Sequence, residues 1–218
     1  MEKRYVLFAG VNGAGKSTLY DNLIFNRMHS FPRVNSDEIL RESQGDWKNT
    51  IDQMIAMKEA LRRIYNYLEN GISFNQETTL SGSSANRLIS MAKKRGYKVE
   101  LYYVGLESAD LAVQRVQNRV NKGGHGVEEE VIRKRYENSL KNLGTIIPMC
   151  DKVEMYDNTN SFTRVAKIEN GTMIIFKECE WLKRYWWNKK ENLSKDNAEK
   201  KAIISQWMIG KRSVQIKQ

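Results

Sequence analysis

FAGVNGAGKSTLYDN, residues 8–22, contains Gly10-Val11-Asn12-Gly13-Ala14-Gly15-Lys16-Ser17, which satisfies G-x-x-x-x-G-K-[ST] at every fixed position. Glycine lacks the Cβ that keeps a backbone out of tight bends, so this spacing marks a loop whose own N–H groups must come close to something. The flanks say what. Tyr5-Val6-Leu7-Phe8-Ala9 is an unbroken apolar run of strand length, suited to burial on both faces of a sheet. After Lys16, the positions of Leu19, Leu23 and Ile24 mark one helical face. A loop between a buried strand and a helix N-terminus gathers backbone donors at the positive end of the helix dipole, which suits the phosphates of a nucleoside triphosphate. Gly10, Asn12, Gly13, Ala14, Gly15, Lys16, Ser17 and Thr18 are therefore the candidate nucleotide-binding residues. ATP or GTP is the expected cofactor, with Lys16 reaching the β- and γ-phosphates and the Ser17 hydroxyl on Mg²⁺.

The 218 residues suffice for one good-sized domain with an appendage, and the 40% hydrophobic content supports a packed core. No apolar run approaches membrane-spanning length, and Met1-Glu2-Lys3-Arg4 leads straight into the first strand, leaving no room for a signal peptide. Cys150 and Cys179 lack a CxxC spacing and read as structural thiols of a reducing cytoplasm, the expected location. The net charge of +10 suits an anionic ligand. Half of that surplus lies in residues 178–218, where ten lysines and arginines face five acidic residues. Trp181, Trp186, Trp187 and Trp207 lie there too. A basic, aromatic segment of this kind fits nucleic acid or anionic lipid, or else a helical extension whose indoles pack on the domain while its lysines face water.

Between these ends the chain alternates. Pro32-Arg33-Val34-Asn35 reads as a short strand. From Asn49 to Leu68, Ile51, Met54, Ile55, Met57, Leu61, Ile64, Tyr65 and Leu68 follow a helical period, with Gly71 as C-cap. Ile72 to Gln76 predicts a strand, Ser83 or Ser84 a helix start running through Lys94, and Val99 to Val104 another strand. Residues 110–143 predict two basic helices joined by Lys122-Gly123-Gly124-His125-Gly126, a lid on a glycine hinge. Lys152 to Tyr156 predicts the last sheet strand, and Asn170-Gly171 turns a hairpin between residues 162–168 and 172–176. The expected fold is α/β, a P-loop NTPase: a parallel sheet flanked by helices, a helical lid, a C-terminal β-hairpin and a helical extension. The expected division is a kinase domain over 1–177 and a basic, tryptophan-rich extension over 178–218.

In open α/β sheets ligands collect at the carboxyl ends of the strands. Asp37 and Glu77 each follow a predicted strand there. Asp37 is the candidate general base for an acceptor hydroxyl, or alternatively the N-cap of the helix holding Glu38, Ile39 and Leu40. Glu77 would assist Mg²⁺ through water or hold substrate, and Thr79 and Ser81 could donate hydrogen bonds beside it.

Taken in order, the phosphate loop, Val34-Asn35-Ser36-Asp37-Glu38-Ile39, Glu77-Thr78-Thr79, Gly123-Gly124-His125 followed by Arg133-Lys134-Arg135-Tyr136, and Tyr156-Asp157-Asn158 resemble the zeta toxins and their P-loop kinase relatives over roughly residues 3 to 177. Zeta toxins are kinases that phosphorylate the 3′-hydroxyl of UDP-N-acetylglucosamine from ATP. The resemblance implies that Lys16 is the phosphate-loop lysine, Asp37 the catalytic base, and Glu77 and Thr79 substrate contacts. It departs from the family at Ser36, Thr78 and Glu128, where proline, a small residue and proline are common. Arg115, Arg119, Arg133 and Arg135 compete for the lid-arginine role. Arg119, closest to the hinge, is the first choice as catalytic, with Arg115, His125 and Arg135 as substrate-binding residues. The implied partners are a small-molecule acceptor such as a nucleotide sugar, and an antitoxin protein. The alternatives are an NTPase switch, or a kinase of nucleotides or nucleic-acid ends with a basic binding tail.

Overall fold

The computed structural model describes residues 2–25, 31–169, 172–184 and 215–216. Its centre is β1 (Arg4–Ala9), whose residues from Tyr5 onward are buried, as an apolar run covered on both faces requires. On one side it pairs in parallel with β3 (Phe74–Thr78), beyond which lies β2 (Arg33–Val34); on the other it pairs in parallel with β4 (Lys98–Gly105) and then β5 (Lys152–Asp157). The order β2-β3-β1-β4-β5 leaves β1 at the point where the chain changes direction across the sheet, the position at which such sheets bind ligands. The parallel series ends at β5, but β5 is not the last strand of the sheet, contrary to expectation. The expected hairpin, β6 (Thr163–Glu169) with β7 (Thr172–Ile175), adds to the same sheet antiparallel, and the short β8 (Gln215–Ile216) pairs with β7.

Helices fill the intervals: α1 (Lys16–Phe25), α2 (Ser36–Glu42), α3 (Thr50–Asn70), α4 (Ser84–Lys94), α5 (Ala109–Asn121) and α6 (Glu129–Ile146), the last followed by a single 3₁₀ turn, Ile147–Met149. The ends of α3 follow local chemistry. The Asn49 side chain accepts the N–H of Ile51 at the start, and Gly71 in the left-handed region closes the end. Its inward face differs from the expected one. Ala56, Ala60, Ile64 and Leu68, at a spacing of four, are buried, whereas Ile51, Met54, Ile55 and Met57 are each more than half exposed. Small alanines let the helix approach its neighbours closely, so the bulkier residues of its first half turn outward.

Trp181 and Leu182 are buried with the domain core, and Trp181 Nε1 donates to Asp157 Oδ1 at 2.9 Å. One indole from the basic C-terminal region therefore packs on the sheet. Trp186, Trp187, Trp207 and most of the lysines expected to form the extension lie outside the described residues. No helix among the described residues is long and apolar enough to cross a membrane.

Candidate active site at the carboxyl edge of the sheet

Residues 10–17 leave β1 through three glycines with positive φ, Gly10 at 141°, Gly13 at 78° and Gly15 at 96°. At Gly13 the requirement is twofold: its φ disfavours a side chain, and a Cβ would lie 2.8 Å from the Ala112 carbonyl oxygen of α5. The loop thus passes directly against α5. Ala14 N donates to Val11 O at 3.1 Å and Leu19 N to Gly15 O at 3.0 Å, so helical bonding begins at once after the bend. Lys16 is folded over this loop with only 7% of its surface exposed; its Nζ donates to Val11 O at 3.2 Å and stands 3.6 Å from Glu77 Oε1.

Glu77, at the end of β3, gathers four side chains. Its Oε2 accepts from Ser17 Oγ at 2.9 Å and Asn35 Nδ2 at 3.2 Å, and it pairs with Arg33, while Lys16 faces its other oxygen. Burial pushes its pKa up, but Lys16, Arg33 and the hydrogen bonds from Arg33 and Ser17 outweigh that and hold it below the usual carboxylate value. Arg33 also pairs with Glu38 Oε1 at 2.8 Å and lies over the Tyr20 ring at 4.1 Å from its centroid. Sequence reasoning passed over Arg33; a charged residue in a two-residue strand of a parallel sheet was the available signal. In the loop after β3, Thr79 Oγ1 shares a 2.8 Å hydrogen bond with Ser81 Oγ. Between them Leu80 has φ 58°, a left-handed conformation that a leucine adopts only when its surroundings impose it; it is buried, and Asn142 of α6 donates to its carbonyl oxygen at 2.8 Å.

Asp37 is not the N-cap of α2. That role belongs to Asn35, whose Oδ1 accepts the Asp37 N–H at 3.0 Å. The Asp37 carboxylate is left 42% exposed, with His125 Nε2 at 3.8 Å from its Oδ1. Arg135, from α6, feels the Asp37 charge and donates from Nη1 to Asn12 Oδ1 at 2.9 Å. The phosphate loop is thereby tied to α6 through this guanidinium, and the candidate base lies beside the α5–α6 connection through His125.

The four arginines expected in a lid separate clearly. Arg133 faces outward and pairs with Asp110 at 2.7 Å and Glu129 at 2.8 Å. Arg115 Nη2 donates to Thr159 O at 2.9 Å, beside the stretch in which Asn158 Nδ2 donates to Ala14 O at 2.9 Å and Phe162 packs at Gly15. Arg119 Nε and Nη2 are buried without a hydrogen-bond partner among the described residues. A buried guanidinium costs free energy unless something fills those donors, and a phosphate oxygen is their natural complement. The residues present therefore fit a triphosphate: a donor loop, a buried lysine and an unsatisfied guanidinium. They also fit a divalent cation held with it at the Ser17 hydroxyl, next to Glu77. Ser17 and Thr18 are exposed on the first turn of α1, as ligand contact there requires.

The family model for an AAA domain matches residues 6–143. An uncharacterized protein of Haemophilus influenzae is 30% identical over 136 residues, covering 62% of this chain and 94% of its own length. Among solved structures, one from the PezAT chromosomal toxin-antitoxin system of Streptococcus pneumoniae superposes with a TM-score of 0.55 at 15% identity, over 74% of this chain and 71% of that one. Another, AvrRxo1-ORF1:-ORF2 with ATP, gives 0.61 at 17% identity, over 77% of this chain and 59% of that one. At such identities the likeness is one of fold, a P-loop kinase-like α/β sheet with its helices.

Proposed function

The chain belongs to the AAA domain family, and on that premise we propose that it is a kinase that transfers the γ-phosphoryl group of ATP to a hydroxyl of a small molecule. The observation that carries this reading is that the α5–α6 segment reaches both groups: Arg135 donates to Asn12 of the phosphate loop, and His125 Nε2 lies 3.8 Å from the Asp37 carboxylate. A P-loop with a switch function needs the first; an acceptor hydroxyl also needs the second.

In the proposed reaction Lys16, Arg119 and Arg135 neutralise the transferring phosphoryl group, and the loop's backbone N–H groups hold the phosphates. Mg²⁺ bound at Ser17 would shield phosphate charge. The acceptor oxygen forms a bond to γ-phosphorus as the bond from γ-phosphorus to the β–γ bridging oxygen breaks; Asp37 takes the hydroxyl proton and ADP leaves. Glu77 holds Lys16 and Ser17 in register, and with Thr79, Arg115 and Arg135 it belongs to the walls that phosphates and acceptor share, with His125 beside Asp37. The acceptor we propose is a nucleotide sugar such as UDP-N-acetylglucosamine, with an antitoxin protein as partner; both rest on the zeta-toxin resemblance, and the toxin-antitoxin origin of one structural neighbour supports the second. We assign residues 1–177 to the kinase domain, with 110–143 as its lid, and 178–218 to a basic extension.

The experiment is mass spectrometry of a panel of nucleotide sugars and nucleosides incubated with the protein, ATP and Mg²⁺. A gain of one phosphate on one compound identifies the acceptor. ADP release that no panel member accelerates, with no phosphorylated product, would favour an NTPase instead.

A further inference from the structure

His125 lies in the connection 122–128 between α5 and α6, and two close contacts hold that connection. A Cβ on Gly124 would fall 2.6 Å from Arg119 Cγ, and one on Gly126 would fall 2.5 Å from Trp47 Cη2. Trp47, in the turn between α2 and α3, thus lies flush against the lid connection, and its ring centroid is 6.0 Å from that of His125. Pinned on both sides, the imidazole presents Nε2 to Asp37 Oδ1 at 3.8 Å. That separation is about 0.6 Å beyond the upper end of the usual N–H···O range.

Burial, with the arginines around the ring, favours its neutral form. Burial lowers its pKa most; Asp37 raises it, while Arg119 of α5, Arg135 of α6 and Arg41 of α2 all lower it. A neutral imidazole can carry its proton on Nε2 and donate it. This matters for a base. Asp37 is 42% exposed, and a fixed donor on one oxygen of such a carboxylate directs the other. A cationic donor would do so at the cost of basicity, because a positive charge beside a carboxylate favours its ionised form; a neutral donor costs less.

Resting on the kinase reading above, we propose that His125 is a positioning residue for Asp37: as the lid connection closes, Nε2–H donates to Oδ1 and leaves Oδ2 facing the acceptor hydroxyl. Lid closure and base alignment then become one event, so a water molecule that enters while the lid is open meets a poorly aligned base. Acid weakens the base without removing the donor, because an imidazolium still donates to Oδ1 but lowers the basicity of the carboxylate.

Two measurements test this. With UDP-N-acetylglucosamine and MgATP, His125→Leu should lower kcat by about 10–100-fold, the worth of one hydrogen bond to a charged group. Both KM values should stay within about threefold, and His125→Gln, which keeps a neutral donor, should restore most of the rate. Independently of any acceptor, the His125 imidazole titration is followed by NMR, assigned against His29 with the His125→Gln protein. Its midpoint should fall in Asp37→Asn, where the anion that favours the imidazolium is gone. A raised acceptor KM with unchanged kcat in His125→Leu would make the ring a substrate contact and overturn the proposal, and so would a titration midpoint that Asp37→Asn leaves in place. Absence of turnover by the wild-type protein counts against the acceptor, while the NMR titration still decides whether the two side chains act as a pair.

Discussion

The Glu77 carboxylate accepts the Ser17 hydroxyl at 2.9 Å and at the same time faces the Lys16 ammonium. The two side chains that a phosphate loop turns toward a nucleotide are therefore held in place by an anion of the protein itself. A triphosphate arriving with a cation supplies both partners at once, so binding exchanges one set of charge contacts for another. Arg33 and Asn35 keep Glu77 anchored through that exchange.

Glu77→Gln removes the charge while keeping the shape, and it leaves Lys16 and Arg33 buried with less compensation. We expect a loss of about 3 kcal/mol in urea unfolding without ligand, the range for breaking a buried pair from one side. MgATP should recover more stability in the variant than in the wild type, because phosphate replaces the missing anion. The pH dependence follows from the lowered Glu77 pKa. Its contribution is complete above the unfolded-state value near about 4.3 and is lost as pH falls through the lower folded-state value. Urea curves across that acid range should be flatter for Glu77→Gln than for the wild type.

Lys16→Ala should lower phosphoryl transfer by at least about 10²–10³-fold, the scale for deleting one preorganised charge-stabilising group. Nucleotide should still bind, more weakly, through the backbone donors of the loop. Glu77 retains Arg33, Ser17 and Asn35, so circular dichroism and the unfolding midpoint should show a folded protein. Turnover equal to the wild type would remove the phosphate-loop assignment.

The sheet edge was legible in the sequence because its signals are local. A glycine pattern between an apolar run and a helix face specifies strand, bend and helix within the span 5–24, and the structure has all three. Asp37 and Glu77 were placed by counting from strand ends. What stayed hidden depends on neighbours distant in sequence. The apolar residues of α3 carry two overlapping helical stripes, and only packing decides that the alanine stripe turns inward. Asn35 and Asp37 both cap helices well as residue types; the observed bond to the Asp37 N–H, not propensity, assigns the role. Arg119 and Arg133 look alike as candidate lid arginines until two nitrogens of one are seen buried without a partner among the described residues and the other is paired with two exposed carboxylates. Trp47 carried no sequence signal at all, because its contact is with Gly126, across the fold.

Gly105 at the end of β4 meets the face of Trp181, and a Cβ there would lie 2.2 Å from the indole Cε2. Gly105→Ala should cost about 1–3 kcal/mol, toward the upper end because an indole cannot fold away from the clash. In a Trp181→Leu background the same substitution should cost little, a coupling of at least about 1 kcal/mol in a double-mutant cycle. Additive effects would show that residues 178–184 do not pack on the sheet in solution.

Asp37→Asn separates the kinase reading from a helix-capping or NTPase role. Asparagine keeps the size and reach of the side chain but cannot accept the acceptor proton. The cap of α2 stays intact, because Asn35 supplies it, so stability should change by less than about 0.5 kcal/mol. Nucleotide affinity should also hold, since Lys16, Arg119 and the loop backbone are untouched. General-base assistance contributes about 10²–10⁴-fold, and acceptor phosphorylation should fall by at least the lower of these. Basal ATP hydrolysis, in which water needs no aligned acceptor, should fall less. The measurement is phosphorylated-product formation beside ADP release in the same reaction, with the acceptor that the mass-spectrometry panel identifies. Near-wild-type product formation would sink the assignment of Asp37 as the base and leave the site with nucleotide binding alone.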